Sequence, residues 1–373
     1  METKTEDYRN ELFYQPKNGY DRIDTEERLV MEQYAEEYKK FLNEARTERE
    51  AVKLAVEMAE AQGFVPYERG MEMAPGTKIY FNNRGKSLIL AVMGEQPLEN
   101  GCVIAGAHVD APRLDLKQQP LTEQDELAYF RTHYYGGIKK YQWVTIPLEL
   151  HGVVVLQSGE TVDVVIGHDP EDPQLVITDL LPHLGADQSQ KKLGEAITGE
   201  GLKLLIGSVP YDVPGKDRVK LAIMSILNDK YGITEEDFLS AELCAVPAME
   251  VRDIGLDRSM IGGYGHDDRS CAFAELKAIL ELDTPPRTAV CILADKEEIG
   301  SDGVTGMQSH AFDMFMEDLC AEQNIPLRRC FEKSFCISAD VCNGFDPLYP
   351  EVSEKSNNAL MNYGMGICKY TGS

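Results

Sequence analysis

The residues able to do chemistry gather at four places where an apolar run ends: Ala107-His108-Val109-Asp110, His266-Asp267-Asp268-Arg269, Asp295-Lys296-Glu297-Glu298 and Ser338-Ala339-Asp340. Open α/β sheets bind ligands at the carboxyl ends of their strands. One acidic residue in such a place is commonly a solvated charge or a helix cap. Four on one α/β domain point instead to a divalent-metal site, which needs hard oxygen donors and imidazole brought together from distant parts of the chain. On a strand, His108 and Asp110 face the same side, so the carboxylate can orient the imidazole. Glu297 and Glu298 are neighbours and point apart, so one can hold metal while the other acts as general base on a water. Asp267 and Asp340 remain as carboxylate ligands, and one carboxylate can bridge two metals about 3.5–4 Å apart. His133, His151 and His310 have no motif around them and read as structural or surface residues. His168 reads as a loop histidine, and His266 stays outside the ligand set.

These residues need elements to aim them. Residues 24–63 read as two helices broken near Asn43–Arg46, with Thr47-x-x-Glu50 as a capping box for the second. From Lys78 the period changes: KIYFNN, a turn at Asn82–Gly85 and SLILAV suggest a hairpin, and CVIAGAH a further strand. Such unbroken apolar runs suit strands buried on both faces of an α/β sheet. Between about 115 and 250, short β-like pieces (VTIPLEL, HGVVVLQSG, TVDVVIG, LKLLIGSV, SAELCAV) lie between Gly, Pro and Asp, with one helix near 217–230. After Asp267 the α/β pattern resumes, with SCAFAELKAILEL and AFDMFMEDLCAE as helices and TAVCILA and FCISAD as strands. The expected fold is α/β: a mixed sheet flanked by helices with an inserted β-rich domain. Residues 1–114 and 253–373 would form the outer domain, and 115–252 the insert.

The chain has 373 residues, with 37 basic against 63 acidic side chains and a net charge of −26. That balance argues against nucleic acid or an anionic membrane as the main partner, since both need clustered Lys and Arg. No apolar run approaches the roughly 18 residues of a membrane span, and METKTEDYRNELFYQ is no signal peptide. The nine cysteines form no CxxC pair and read as buried reduced thiols. A cytoplasmic protein is expected.

Taken together and in this order, AGAHVDAPRLDLK, YGHDDRSCAF, DKEEIGSDGVTG and SADVCNGFDP resemble the aminopeptidase I / aspartyl aminopeptidase family of dinuclear zinc peptidases. The resemblance runs from about residue 10 to the last residue and includes the insert with its DLLPHLG segment. It implies that His108 and Asp340 bind one metal, Asp267 bridges, Glu298 binds the second metal, Glu297 is the base and Asp110 orients His108. His183 would reach a neighbouring subunit's active site. It also implies a cis Asp267–Asp268 peptide, two zinc ions per subunit with cobalt or manganese as substitutes, and a homodimer building a dodecamer.

The chain departs from the family in two places. Eukaryotic aspartyl aminopeptidases carry a His-rich stretch after the residue matching Asp340, where this chain has Asn343 and Asp346; that favours a bacterial-type branch. The family also continues beyond KYTGS to a final histidine that completes the second metal site, a ligand this sequence lacks. The expected function is a metal-dependent aminopeptidase that removes N-terminal residues from peptides through a two-metal-activated water. The alternatives are a deacylase with the same two-metal site and an inactive assembly subunit.

Overall fold

The computed structural model describes residues 8–370. The opening METKTED and the terminal Thr371–Ser373, which entered the readings of both chain ends, lie outside the described residues. Two compact units emerge, one of Lys39–Ala339 and one of Met1–Tyr38 with Asp340–Ser373. The second contains short turns such as Pro350–Val352 and Lys355–Asn357. In it the Gly19 amide donates to the Asn362 carbonyl at 2.6 Å, and Gly344 bridges to Ala359.

Within Lys39–Ala339 the unbroken apolar runs form a six-stranded mixed sheet. Its order is β1 (Val65–Pro66), β2 (Lys78–Asn83), β3 (Ser87–Val92), β13 (Ala289–Ala294), β4 (Val103–His108) and β14 (Phe335–Ser338). The expected hairpin is β2–β3, closed at Asn82–Gly85 by the Gly85 amide donating to Asn82 Oδ1 at 2.7 Å. Every residue of β3 is buried, which places it in the middle of the sheet. Strand β13 pairs in parallel with β4, and β14 does so on the other side, so three chemistry-bearing strand ends point one way. One face packs Ile79, Ile89, Ile104 and Ile292 against Phe315 and Leu319 of the helix Ala311–Glu322. Each such side chain removed from water contributes about 1.5–3 kcal/mol.

The second sheet is antiparallel and also has six strands. Its order is β8 (Thr161–Ile166), β7 (Leu148–Val155), β10 (Glu242–Pro247), β5 (Arg113–Gln124), β6 (Leu127–Tyr135) and β9 (Lys203–Gly207). Leu114, Phe130, Leu148, Leu150 and Leu243 line its core with Val219 and Leu227 of the helix Arg218–Tyr231. A short ribbon, β11 (Arg252–Ile254) and β12 (Met260–Gly262), leads back towards the first sheet. VTIPLEL and HGVVVLQSG, which read as separate pieces, contribute to one strand, β7. The long β5–β6 hairpin, absent from the sequence reading, carries Pro120 and a register shift between Leu116 and Leu121. Proline cannot donate to a ladder, and a bulge breaks the alternation that betrays a strand.

The capping box is as expected: Thr47 accepts from the Glu50 amide and Glu50 from the Thr47 amide, opening the helix Glu48–Ala61. Five cysteines are buried, but Cys336, Cys342 and Cys368 are exposed, so the buried-thiol reading holds for only part of the set.

Candidate active site and metal centre

Strand β4 ends at His108, and the next residues turn away from the sheet. The His108 ring is buried. Its Nδ1 lies 2.9 Å from the Asp110 carbonyl and 3.3 Å from Asp110 Oδ1, so the Nδ1 proton is held from behind. Nε2 is thereby left to face forward, 3.1 Å from Asp267 Oδ1 and 3.7 Å from Glu297 Oε2. Asp267 and Glu297 keep about half of their side-chain surface open, whereas His108 and Asp110 are sealed.

Asp110 does more than orient the imidazole. Its Oδ1 accepts the Glu297 amide at 3.2 Å, and its Oδ2 accepts the Glu298 amide at 3.3 Å. Oδ2 also takes the Tyr135 hydroxyl at 2.7 Å. The carboxylate beneath the histidine therefore also fixes the turn Glu297–Ile299 that follows β13. Gly136, next to Tyr135, has φ +73°, and a Cβ there would come within 3.3 Å of the Glu298 carboxylate.

The loop carrying Asp267 is fastened to the end of β4. Arg269, fully buried, donates from Nε to the Val109 carbonyl at 3.0 Å, and the Tyr264 hydroxyl donates to the Pro112 carbonyl at 2.8 Å. Gly265 has φ +87°, and a Cβ there would lie 2.1 Å from the Arg269 guanidinium. The Asp267–Asp268 peptide is cis, and regular helical geometry starts only at Arg269.

The site is crowded with negative charge. Burial, then the Asp267 carboxylate, push the Glu298 carboxyl up to about 7, with His108 opposing. Burial and the neighbouring Asp268 push Glu275, on the helix His266–Leu280, up to about 8. Burial alone would lower the His108 pKa, but the Asp110 carboxylate outweighs it and raises it to about 9. Carboxylates forced together around one forward-facing imidazole nitrogen are a donor set that a hard or borderline dication satisfies. Beside Asp267 opens a cleft of about 530 Å³ lined by Pro112, Ile138, Lys139, Trp143, Tyr264 and His266 among others.

Of the residues singled out from sequence, the structure gathers His108, Asp110, Asp267, Glu297 and Glu298 in one unit. Asp340 opens the other unit, one residue after Ala339, whose amide donates to the Gly106 carbonyl at 2.9 Å. His183 lies in an exposed turn beside Leu180, Leu181 and Leu184. Tyr135 and Gly136 were missed, because nothing in THYYGG marks a hydroxyl that reaches Asp110. Arg269 and Tyr264 stood within a quoted motif without a role.

The chain matches the family described as aminopeptidase I zinc metalloprotease (M18) over residues 41–373. It is 47% identical to the probable M18 family aminopeptidase 1 of Clostridium acetobutylicum, covering 98% of this chain and 80% of that protein. The crystal structure of an M18 aminopeptidase from Thermotoga maritima superposes with a TM-score of 0.90 at 40% identity, over 94% of this chain and 78% of the other. Aminopeptidase I from Clostridium acetobutylicum gives 0.86 at 44% identity, over 95% and 78%. With that likeness across nearly its whole length, the chain belongs to the M18 family of zinc aminopeptidases.

Proposed function

We propose that this aminopeptidase works through His108, Asp267, Glu298 and Asp340 as metal ligands, with Glu297 as general base and Asp110 as the residue that positions both His108 and Glu297. The observation that carries the assignment is the double hold of the Asp110 carboxylate on the Glu297 and Glu298 amides, with His108 Nε2 3.1 Å from Asp267. Two zinc ions per subunit, replaceable by cobalt or manganese, suit this donor set. When bound, zinc supplies Lewis-acid polarisation of the scissile carbonyl and acidifies a nucleophilic water. Glu297 Oε2 takes a proton from the attacking water and returns it to the departing amine. Asp110 keeps the His108 proton on Nδ1 and so leaves Nε2 as a donor of electrons. The open cleft beside Asp267 receives the N-terminal residue of a peptide, its apolar wall supplied by Ile138 and Trp143.

In this reading, residues 115–252 form the β-rich dimerisation domain inserted between 1–114 and 253–373. His183, on its exposed leucine-rich turn, reaches the mouth of a partner subunit's site. The mApe1 protein of S. cerevisiae, 19% identical, is a dodecamer, and a homodimer building a larger assembly is proposed here on that analogy. No helix among the described residues is long and apolar enough to cross a membrane; a cytoplasmic location is proposed from the acidic composition and the reduced cysteines.

Adjacent substitutions test the roles. Glu297→Gln is expected to keep bound zinc and lower turnover about 10²–10⁴-fold, whereas Glu298→Gln is expected to lose zinc. Elemental analysis beside release of free amino acid from unblocked peptides reads both. Equal zinc loss in the two variants would remove the division of labour. Turnover of N-acylated amino acids in place of unblocked peptides would favour the deacylase.

A further inference from the structure

A second group of side chains of types that can hold a metal lies on the antiparallel sheet, and two of its three members, His151 and His168, read from sequence as structural or loop histidines. Glu149 and His151 are two apart on β7 and so share one face of the strand. His168 follows β8, the neighbour of β7, two residues beyond its last residue. We propose that Glu149, His151 and His168 form a further metal site, distinct from the centre at His108, that takes a single zinc-like dication.

The geometry carries the proposal. One ligand atom from each of the three lies within 4.8 Å of the other two. His151 Nε2 stands 3.3 Å from Glu149 Oε1, and His168 Nδ1 stands 3.3 Å from Glu149 Oε2. Those separations are long for charge-assisted hydrogen bonds, which shorten to about 2.7–2.9 Å. The His168 Nδ1–Glu149 Oε2 separation matches the edge of a zinc tetrahedron, in which donors 2.0–2.1 Å from the ion stand about 3.3 Å apart, while His151 Nε2 approaches the other oxygen of the same carboxylate. The two imidazole rings meet edge to face, with centroids 5.6 Å apart, so their nitrogens can share a point without stacking.

The surroundings fit as well. Glu50 Oε1 binds His151 Nδ1 at 2.6 Å, the arrangement by which a carboxylate fixes a metal-bound imidazole and frees its other nitrogen. Glu149 and His151 are almost wholly buried, while His168 retains about a third of its side-chain surface. The ion would thus be anchored from within and open to one water on the His168 side, as two-histidine, one-carboxylate zinc sites are. Among the described residues the cation in contact with the group is Arg46, whose Nε lies 3.0 Å from Glu149 Oε1, with the Arg269 guanidinium behind it. Arg46 leaves Oε2 to the ion. With both histidines neutral, the Glu50 and Glu149 carboxylates touch the group directly, whereas of the two guanidiniums only Arg46 does, so a dication there meets more negative than positive charge at contact. The rival occupant is a proton on His151 shared by the two carboxylates.

The test uses cobalt(II) as the probe. The full chain and a His168→Ala variant are dialysed against Co²⁺ and their bound metal is counted by elemental analysis. His168 is partly exposed, so its removal leaves the core intact. The expected result is one equivalent fewer of Co²⁺ per chain in His168→Ala, and a matching loss of the visible absorption of four-coordinate Co²⁺. The same comparison is made in a His108→Ala background, which weakens the aminopeptidase centre and leaves the sheet site unaltered. An equal loss there assigns the ion to the sheet whatever becomes of the catalytic assignment. The same metal count and spectrum with and without His168 would overturn the proposal and leave the proton as the occupant.

Discussion

Asp110 and Glu48 show how much one buried carboxylate can decide. Asp110 accepts from Tyr135 and from two successive amides. Tyr135→Phe leaves Oδ2 with only its longer bond to the Glu298 amide. The expected cost is about 1–3 kcal/mol of stability, read by urea unfolding, together with a fall in kcat as the turn at Glu297 loosens. Unchanged kcat would mean that the two amides suffice. Glu48 sits between Arg113 Nη1 at 2.8 Å and Lys86 Nζ at 3.0 Å. Burial would raise its pKa, but the two cations outweigh burial and bring it from 4.5 to about 2. A folded pKa below the unfolded one means that its stabilisation is present above about pH 4.5 and fades as the pH falls towards 2, on the order of 3 kcal/mol in all. Acid unfolding curves of Glu48→Gln should therefore be flatter across that window than those of the wild type. At this scale the sequence was legible where a residue type announces its chemistry. His108, Asp110, Asp267 and the two glutamates each end an apolar run. Tyr135, Arg269 and the group around His151 were not, because their roles depend on which strands the fold sets side by side.

Elements place these groups through a few tight approaches. Gly265→Ala asks a residue at φ +87° to carry a methyl group 2.1 Å from the Arg269 guanidinium. The loop must move, and with it Asp267. The expected outcome is a folded chain with reduced metal content and a lowered melting temperature, measured by elemental analysis and calorimetry. Full retention of metal would show that the loop absorbs the clash away from Asp267. Thr47→Ala removes one half of the capping box at the helix Glu48–Ala61, and a loss of about 0.5–2 kcal/mol is expected in chemical denaturation. The strands of the first sheet were readable from unbroken apolar runs such as SLILAV, and the cap from the Thr-x-x-Glu spacing. The hairpin β5–β6 was not. Pro120 and the shifted register between Leu116 and Leu121 erase its alternation, and the partner strands that stabilise it lie far along the chain.

For the molecule as a whole, the net charge of −26 is a source of self-repulsion. Screening lengths fall to about 10 Å at 0.1 M salt, so the melting temperature is expected to rise between low and moderate NaCl. A falling value would mean that surface ion pairs outweigh the repulsion. Charge and length were plain in the sequence, as were the α/β pattern and the change of texture near residue 115; the way the two sheets meet was not. That meeting has a mechanical side. Tyr135 is the last residue of β6, on the antiparallel sheet, yet its hydroxyl rests on Asp110, which holds the turn after β13 on the other sheet. The linkage is one side chain long and built from hydrogen bonds of 2.7 and 3.2 Å. In the proposed mechanism, a load on the antiparallel sheet, such as a neighbour pressing against it, is thus transmitted to the orientation of Glu297. On that mechanism the stiffness of the sheet becomes a variable of the reaction rate.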